Sequence, residues 1–488
     1  VGVVVDDEDA AHRPTTAPAR PLSTRTILAL PSGSVPVSAA TRHDGLMSRS
    51  GTSRASTAVA WRRDLHAHPE VGFTEFRTAS RVAGRLADLG WHVRTGTDAL
   101  DPGARLGVPD DEVLDAAFAA ADGDGSWAGD GRHLAVMRGG RTAVVATLDA
   151  GRPGRHVALR ADTDALPILE SAASTHPPVA AGFRSTREGV MHACGHDGHV
   201  GLAVELAERL TADPPDGRVS ILFQPAEEGG RGAAAMVPAG VVDDVDVLLA
   251  AHLGIGLPSG TVAAAVDGLL ANTKLRATFH GRAAHAAMAP HEGRSALLAA
   301  AAATLAVHTM PPFPGHETRV AVGALHGGTV SNVVPDRATM LLETRADDGG
   351  VNEEIERRVR TALAGAAATY GGTVTVEAIG TVTTATGDPA ASAAVAEAAR
   401  WTGLDVVGRG AERSRTIDSS PTADLGVASD DATAFMRRVQ SRGGVATYVA
   451  IGSDLAGPHH TPGFDVDESV LGPGVDLLER AVRALTAG

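Results

Sequence analysis

The chain of 488 residues contains a single cysteine, Cys194, and a single lysine, Lys274. One cysteine excludes an intrachain disulfide and leaves the thiol free for other chemistry, so no oxidising compartment is needed and the cytoplasm is the expected location. The lone lysine reads as a mark of an arginine-favouring composition and is given no functional role. Cations are in deficit: 43 Lys and Arg against 58 Asp and Glu leave a net charge of -15. That balance opposes a broad grip on phosphate backbones and argues against a nucleic-acid partner. Long apolar runs are also missing. The longest, over residues 296–307, falls short of the roughly 18 to 20 residues of a membrane span, so no membrane partner is expected. What is present is a chain with 43% hydrophobic residues and a mean hydropathy of +0.01. At roughly 150 residues per domain it supplies about three domains' worth of chain and at least one large core.

Residues 1–55 are rich in Pro, Ser, Thr and Ala, carry the acidic run Asp6-Asp7-Glu8-Asp9 and lack a sustained period, so a disordered extension is expected. The sequence opens on Val1, and Met47, just ahead of the first structured pattern, is an alternative translation start. Apolar residues at 76, 79, 82, 83, 86 and 89 form a helical stripe closed by Gly90. Residues 98–130 are acidic and rich in Ala and Gly, an insertion with a weak helix over 112–121. Apolar strands at 144–148, 157–160, 219–223 and 247–250, with a helix at 200–210 among them, predict an α/β layer with a buried central sheet.

The middle of the chain changes order. Strand 273–280, helix 294–308, strands 319–325 and 337–345, helix 352–370 and strand 373–378 make a β-α-β-β-α-β, or ferredoxin-like, succession. A helix at 390–401, a strand at 445–451 and a helix at 475–485 then resume the first layer. The expected division is a catalytic domain in two parts, 56–268 and 382–488, with an inserted domain at 269–381.

Chemistry concentrates in four places. Met191-His192-Ala193-Cys194-Gly195-His196-Asp197-Gly198-His199 packs three His, one Cys and one Asp into nine residues, a donor set suited to zinc, with nearby carboxylates widening the choice toward manganese. Gln224-Pro225-Ala226-Glu227-Glu228-Gly229 follows a buried strand, where α/β sheets place ligands. One carboxylate can bind metal while its neighbour serves as base; a helix N-terminus favouring acids is the plainer alternative. His252 ends the next strand, and Pro458-His459-His460-Thr461-Pro462 follows the last one.

With these motifs the chain resembles the dinuclear metal amidohydrolases and metallopeptidases that include aminoacylase, the indole-acetyl-amino-acid hydrolases and the glutamate-releasing carboxypeptidases. Further matches are His66-Ala67-His68-Pro69-Glu70, Arg160-Ala161-Asp162-Thr163-Asp164-Ala165-Leu166-Pro167, Gly281-Arg282-Ala283-Ala284-His285-Ala286 and Asn332-Val333-Val334-Pro335. The likeness runs from about residue 61 to 471. The acidic insertion, the strand around Lys274 and Ser429-Asp430-Asp431-Ala432-Thr433 look like the branch that cleaves p-aminobenzoyl-glutamate.

The resemblance implies two divalent ions, Mn2+ or Zn2+, held by Cys194, His196, Glu228, His252 and His460, with Glu227 as general base. It further implies that His285 reaches the site of a partner subunit to stabilise the oxyanion, and that Asn332 and Arg345 hold substrate. Asp164 either orients a ligand imidazole or caps the turn before Pro167. His66 and His68 read as structural, and Arg345 equally fits an ordinary ion pair. The implied activity is metal-dependent hydrolysis of an N-acyl or aroyl amino acid, with p-aminobenzoyl-glutamate the leading substrate. The partner is a related subunit or another copy, and the inserted domain is a lid or dimerisation module. A general N-acyl-amino-acid amidohydrolase and a non-catalytic subunit of a heteromeric enzyme are the alternatives.

Overall fold

A computed structural model describes residues 56–408, 422–424 and 429–487. The expectations for residues 1–55, and for part of the Ser- and Asp-rich loop before residue 429, lie outside the described residues. The main sheet contains β1 (His92–Thr95), β2 (Val144–Asp149), β3 (His156–Asp162), β4 (Arg218–Gln224), β5 (Val247–Leu253) and β6 (Thr261–Ala263). Next in the chain come β7 (Ala265–Asp267) and the four strands of a second sheet: β8 (Ala271–His280), β9 (Thr318–Gly327), β10 (Arg337–Ala346) and β11 (Thr373–Val382). The short β12 (Asp405–Val406) and β13 (Thr422–Asp424) precede β14 (Val445–Ile451).

The main sheet runs β1-β2-β4-β3-β5-β14-β6-β12. Its centre, β4-β3-β5-β14, is parallel, and these strands are buried along nearly their whole length. Burial on both faces is why their sequences read as continuous apolar runs rather than alternations. Along β5 the side chains of Val247, Leu249 and Leu253 enter one core and those of Leu248 and Ala250 the other. The first core is covered by helices Thr57–Ala67, Phe76–Asp88, His196–Ala212, Pro389–Thr402 and Leu471–Ala487. The second is covered by Ala233–Met236 and Ala432–Ser441.

The second sheet is antiparallel in the order β11-β8-β10-β9, the ferredoxin-like order, with helices Ala296–His308 and Gly349–Thr369 packed on one face. Strict alternation sets that face. Leu275, Ala277 and Phe279 of β8 and Met340 and Leu342 of β10 are buried under the helices. Asn272, Lys274, Glu343 and Arg345 therefore project from the opposite face, with Lys274 paired to Glu343 and Arg345 to Asn272 across the two strands.

Several elements escape the periodic pattern. The helices Thr57–Ala67 and Gly131–Met137 and the short strands β6 and β7 have no expectation behind them. The last helix begins at Leu471 rather than 475, because Pro473 is tolerated in a first turn whose amides have no acceptor. The Cys194 block runs directly into a helix that starts at His196, with Gly195 at φ +90° as its N-cap, so two of its histidines are helical. Among the described residues no helix is long and apolar enough to cross a membrane.

Candidate active site

The carboxyl ends of β3, β4, β5 and β14 open on one cavity of about 860 Å³. Its wall includes Cys194, Glu227, Glu228, His252, His459 and His460 from the main-sheet side and Asn272, Lys274 and Arg345 from β8 and β10. Asp164, just past the end of β3, organises the acidic loop that follows β4. Its two carboxylate oxygens accept the backbone N–H groups of Glu227 (2.9 Å) and Glu228 (3.0 Å). The loop turns at Ala226, which has φ +52° and donates its N–H to the buried Glu75 carboxylate (2.8 Å). Burial and the nearby Asp164 push Glu75 up to about 8.

Two histidines of the site are fixed through one ring nitrogen each. His196 Nδ1 lies 2.8 Å from the Asp164 carbonyl oxygen, and His252 Nδ1 lies 2.8 Å from that of Leu253. Each ring therefore donates from Nδ1, and Nε2 is left as a lone-pair donor. His196 Nε2 is buried with no hydrogen-bond partner, while His252 Nε2 sits 3.5 Å from Cys194 Sγ. The donor atoms of Cys194, His196 and Glu228 all lie within 4.8 Å of one another. His460 completes the group at 3.2 Å from Glu228 Oε1. It does so from a left-handed backbone at φ +60°, tied by its N–H to the Ala193 carbonyl (2.8 Å). Non-glycine residues are held there only when the surroundings over-determine them. His459, its neighbour, lines the same cavity between Phe464 and His252, with its own Nε2 buried and without a hydrogen bond. Thiol, imidazole and carboxylate donors converging around an unpartnered buried nitrogen fit a divalent-metal centre.

Burial opposes a charged His196, but Asp162, Cys194 and Asp164 outweigh it and hold the ring well above the usual imidazole range, so His196 has to give up a proton before Nε2 can bind a cation. Burial and the neighbouring His199 hold His252 well below the usual imidazole range, so it is neutral. Burial, reinforced by Glu228 and opposed by His196, pushes the Cys194 thiol up to about 12. Burial together with Asp430, Glu228 and Asp431 raises Glu227 well above the carboxylate range. Glu227 Oε2 lies 3.9 Å from His196 Nε2.

A supporting layer has no counterpart in the expected residue set. Arg160, in the middle of the apolar β3, is 1% exposed and pairs with Asp162 (2.7 Å), Asp430 (2.9 Å) and Asp431 (3.5 Å). Tyr448 donates to Asp430 (2.7 Å), and Gln224 bridges Arg160 and Asp431. Oxygens of Glu227, Asp430 and Asp431 lie within 4.8 Å of one another. A signal existed: an arginine inside a buried strand requires buried acids, and Asp430-Asp431 is the adjacent pair ahead of a helix. His199 bonds Asp162 through Nδ1 and accepts the Leu253 N–H at Nε2 (2.9 Å), so both its nitrogens are engaged.

The remaining expected residues fall in two groups. Arg345 lines the cavity and also makes a two-point pair with Glu343 (2.9 and 3.2 Å). His285 and Asn332 do not line it; they are exposed on two neighbouring loops of the second sheet, joined by the Ala286 N–H to Asn332 carbonyl bond (3.0 Å). His66 is buried between Asp197 (2.8 Å) and Glu170 (3.1 Å), and His68 packs edge-on against Trp127, both away from the cavity wall. Lys274, expected to be without a role, is part of that wall.

Fold and site together define a hydrolase of amide bonds. Residues 158–484 match the model of Peptidase family M20/M25/M40, and the chain belongs to that family, which is metal-dependent. Among its relatives, the indole-3-acetyl-aspartic acid hydrolase of Enterobacter agglomerans is 43% identical over 433 residues, spanning 88% of this chain and 94% of that one. A subunit of the p-aminobenzoyl-glutamate hydrolase of Escherichia coli (strain K12) is 42% identical over 422 residues, 86% of this chain and 94% of the relative. The crystal structure of an aminobenzoyl-glutamate utilization protein from Klebsiella pneumoniae superposes with a TM-score of 0.73 at 38% identity, covering 88% of this chain and 95% of that one.

Proposed function

We propose that this protein hydrolyses the amide of N-acyl or N-aroyl amino acids, with p-aminobenzoyl-glutamate, giving p-aminobenzoate and glutamate, as its leading substrate. The observation that carries the proposal is the convergence of Cys194, His196 and Glu228, whose donor atoms lie within 4.8 Å of one another beside the base-bearing loop, with no hydrogen bond at the buried His196 Nε2. The relatives' named substrates, conjugates of aspartate and glutamate, support the choice of substrate.

Cys194, His196, Glu228, His252 and His460 would hold two divalent ions, Mn2+ or Zn2+. When bound, such ions supply Lewis acidity, which lowers the pKa of a water and polarises the scissile carbonyl. Glu227 takes the proton of the attacking water as its oxygen adds to the carbonyl carbon, and delivers that proton to the amine nitrogen as the C–N bond breaks. Asp164 positions Glu227 and Glu228 through their amides and His196 through its ring N–H. Arg345 receives the α-carboxylate of the amino acid, a planar fork matched to a planar anion.

His285 and Asn332 point to a dimer. Exposed in their own chain, they act on the cavity of a second protomer, where an imidazole donor facing the oxyanion is worth on the order of 3 kcal/mol in the transition state. Residues 269–381 are then both lid and dimerisation domain, between the two parts of the catalytic domain at 56–268 and 382–488. A ligand thiol suits a reducing compartment, and the cytoplasm is the proposed location.

The test is release of p-aminobenzoate from p-aminobenzoyl-glutamate by protein stripped with chelator and resupplied with Mn2+ or Zn2+. Metal-restored hydrolysis that Glu227→Gln abolishes while metal stays bound is the expected result. Full turnover by Glu227→Gln would remove Glu227 as base, and failure to bind metal would remove the ligand set.

A further inference from the structure

The cavity wall around Gly229 holds three cations, Arg231, Lys274 and Arg345, of which Glu343 offsets one. Asn272 and Lys274 of β8 and Glu343 and Arg345 of β10 form a two-by-two patch on the face turned away from the helices. Glu343 is committed to Arg345 through two bonds. Lys274, its cross-strand neighbour, makes no ion pair and no side-chain hydrogen bond among the described residues. Opposite stands Arg231, whose Nε and Nη1 donate only to the carbonyl oxygens of Glu228 (3.0 Å) and Gly107 (3.1 Å). The two cations meet across Gly229, where a Cβ would lie 3.3 Å from Arg231 Nε and 3.6 Å from Lys274 Nζ. Gly229 directly follows the Glu227-Glu228 pair, so this cationic corner adjoins the chemistry. Two cations without a carboxylate partner in a partly desolvated wall are unfavourable alone and become favourable when an anion fills the gap.

Building on the amidohydrolase reading, we propose that Lys274, with Arg231 across Gly229, receives the second carboxylate of a dicarboxylic amino acid. With Arg345 on the α-carboxylate, the corner selects conjugates of aspartate and glutamate over those of neutral amino acids. An ammonium on a flexible stem suits a carboxylate whose position varies with side-chain length.

The test compares p-aminobenzoyl-glutamate with p-aminobenzoyl-glutamine, an isostere without the second charge, in the metal-loaded enzyme. The unmodified protein should favour glutamate by about 30-fold or more in kcat/KM. Lys274→Met should lose most of that preference, through KM on the glutamate conjugate, and change the glutamine conjugate less than about threefold. Lys274→Arg should keep most of it. An equal fall on both substrates, or an unchanged preference in Lys274→Met, would overturn the proposal. A binding arm separates it from the hydrolytic reading: calorimetry of N-benzoyl-glutamate and N-benzoyl-glutamine on Glu227→Gln, with and without Lys274→Met. Lys274-dependent preference for the glutamate ligand supports the carboxylate site even if the unmodified enzyme cleaves nothing, in which case only the hydrolytic reading falls. Equal binding of the two ligands in both backgrounds overturns the site.

Discussion

Replacing Arg160 with Met tests the electrostatic frame of the site. The guanidinium is fully enclosed, and within 3.5 Å of it stand Asp162, Asp430 and Asp431, with the Gln224 amide accepting from Nε. Methionine approximates the volume of the stem and packs acceptably, so the cost is electrostatic rather than a cavity. Removing one partner of a buried charge set leaves its counter-charges uncompensated, which costs about 3–5 kcal/mol. The loss should depend on pH with a definite sign. Burial and Asp430 already raise Asp431 to about 7 against the pull of Arg160, and without Arg160 it rises further. A carboxyl whose folded pKa lies above its unfolded value destabilises the protein above the unfolded value, and this penalty fades as pH falls through the folded one. The difference from the unmodified protein should therefore be largest near pH 8.5 and smaller by at least about 1 kcal/mol near pH 6. Urea unfolding in chelator, followed by tryptophan fluorescence at both pH values, measures it without a contribution from metal binding. A loss below about 1 kcal/mol, or one equal at both pH values, would refute the reasoning.

Other perturbations have equally definite outcomes. Although burial alone would lower His66, hydrogen bonds to Asp197 and Glu170 raise it to about 9, so its stabilising charge is fully present below about pH 6.5 and lost as pH rises through 9. His66→Gln should flatten the fall in stability between pH 7 and 9.5, read by thermal unfolding. Gly380→Ala in β11 would put a Cβ 1.9 Å from the Gly229 carbonyl oxygen, backbone that cannot swing away. It should cost about 1–3 kcal/mol and lower kcat/KM at least tenfold, because the displaced loop carries Glu227; unaltered kinetics would contradict that coupling. Mixing inactive Glu227→Gln with inactive His285→Ala protein should restore part of the activity in mixed dimers, and absence of recovery would place His285 outside a shared site.

Legibility follows the physics of each part. β3, β4, β5 and β14 are apolar on both faces and stand out as runs, as β8 to β11 do by their alternation. Cys194, His196, Glu228, His252 and His460, the proposed ligands, stand at the end of recognisable strands or blocks, and the family resemblance singles them out there; the structure brings all five together at the cavity. The Arg160 frame is less visible: Asp430 and Asp431 lie about 270 residues from Arg160 in the chain, and nothing local links them. The place of Lys274 in the wall is hidden in the sequence because rarity alone cannot separate compositional drift from selection. Only the pairing of Lys274 with Glu343, and the commitment of Glu343 to Arg345, shows that its charge is unspent. The helix Thr57–Ala67 escapes the pattern because its burial comes from packing on a distant partner, the helix His196–Ala212, rather than from a strong stripe of its own.

The two ends of the second sheet lie side by side. Asn272 at the start of β8 and Val382 at the end of β11 are direct partners in one ladder, so the chain leaves and re-enters the main sheet at nearly one point. An element attached this way is a graft whose two junctions lie side by side: it can be exchanged as one block while the strands of the main sheet keep their order. In the proposed roles Lys274, Arg345 and His285 travel with the graft, while Glu227 and Arg231 stay with the main sheet, so most of what is recognised is inherited apart from the base that acts on it. A chimaera joining this main sheet to the β8–β11 segment of a relative should inherit the relative's choice of amino acid and keep its own reaction.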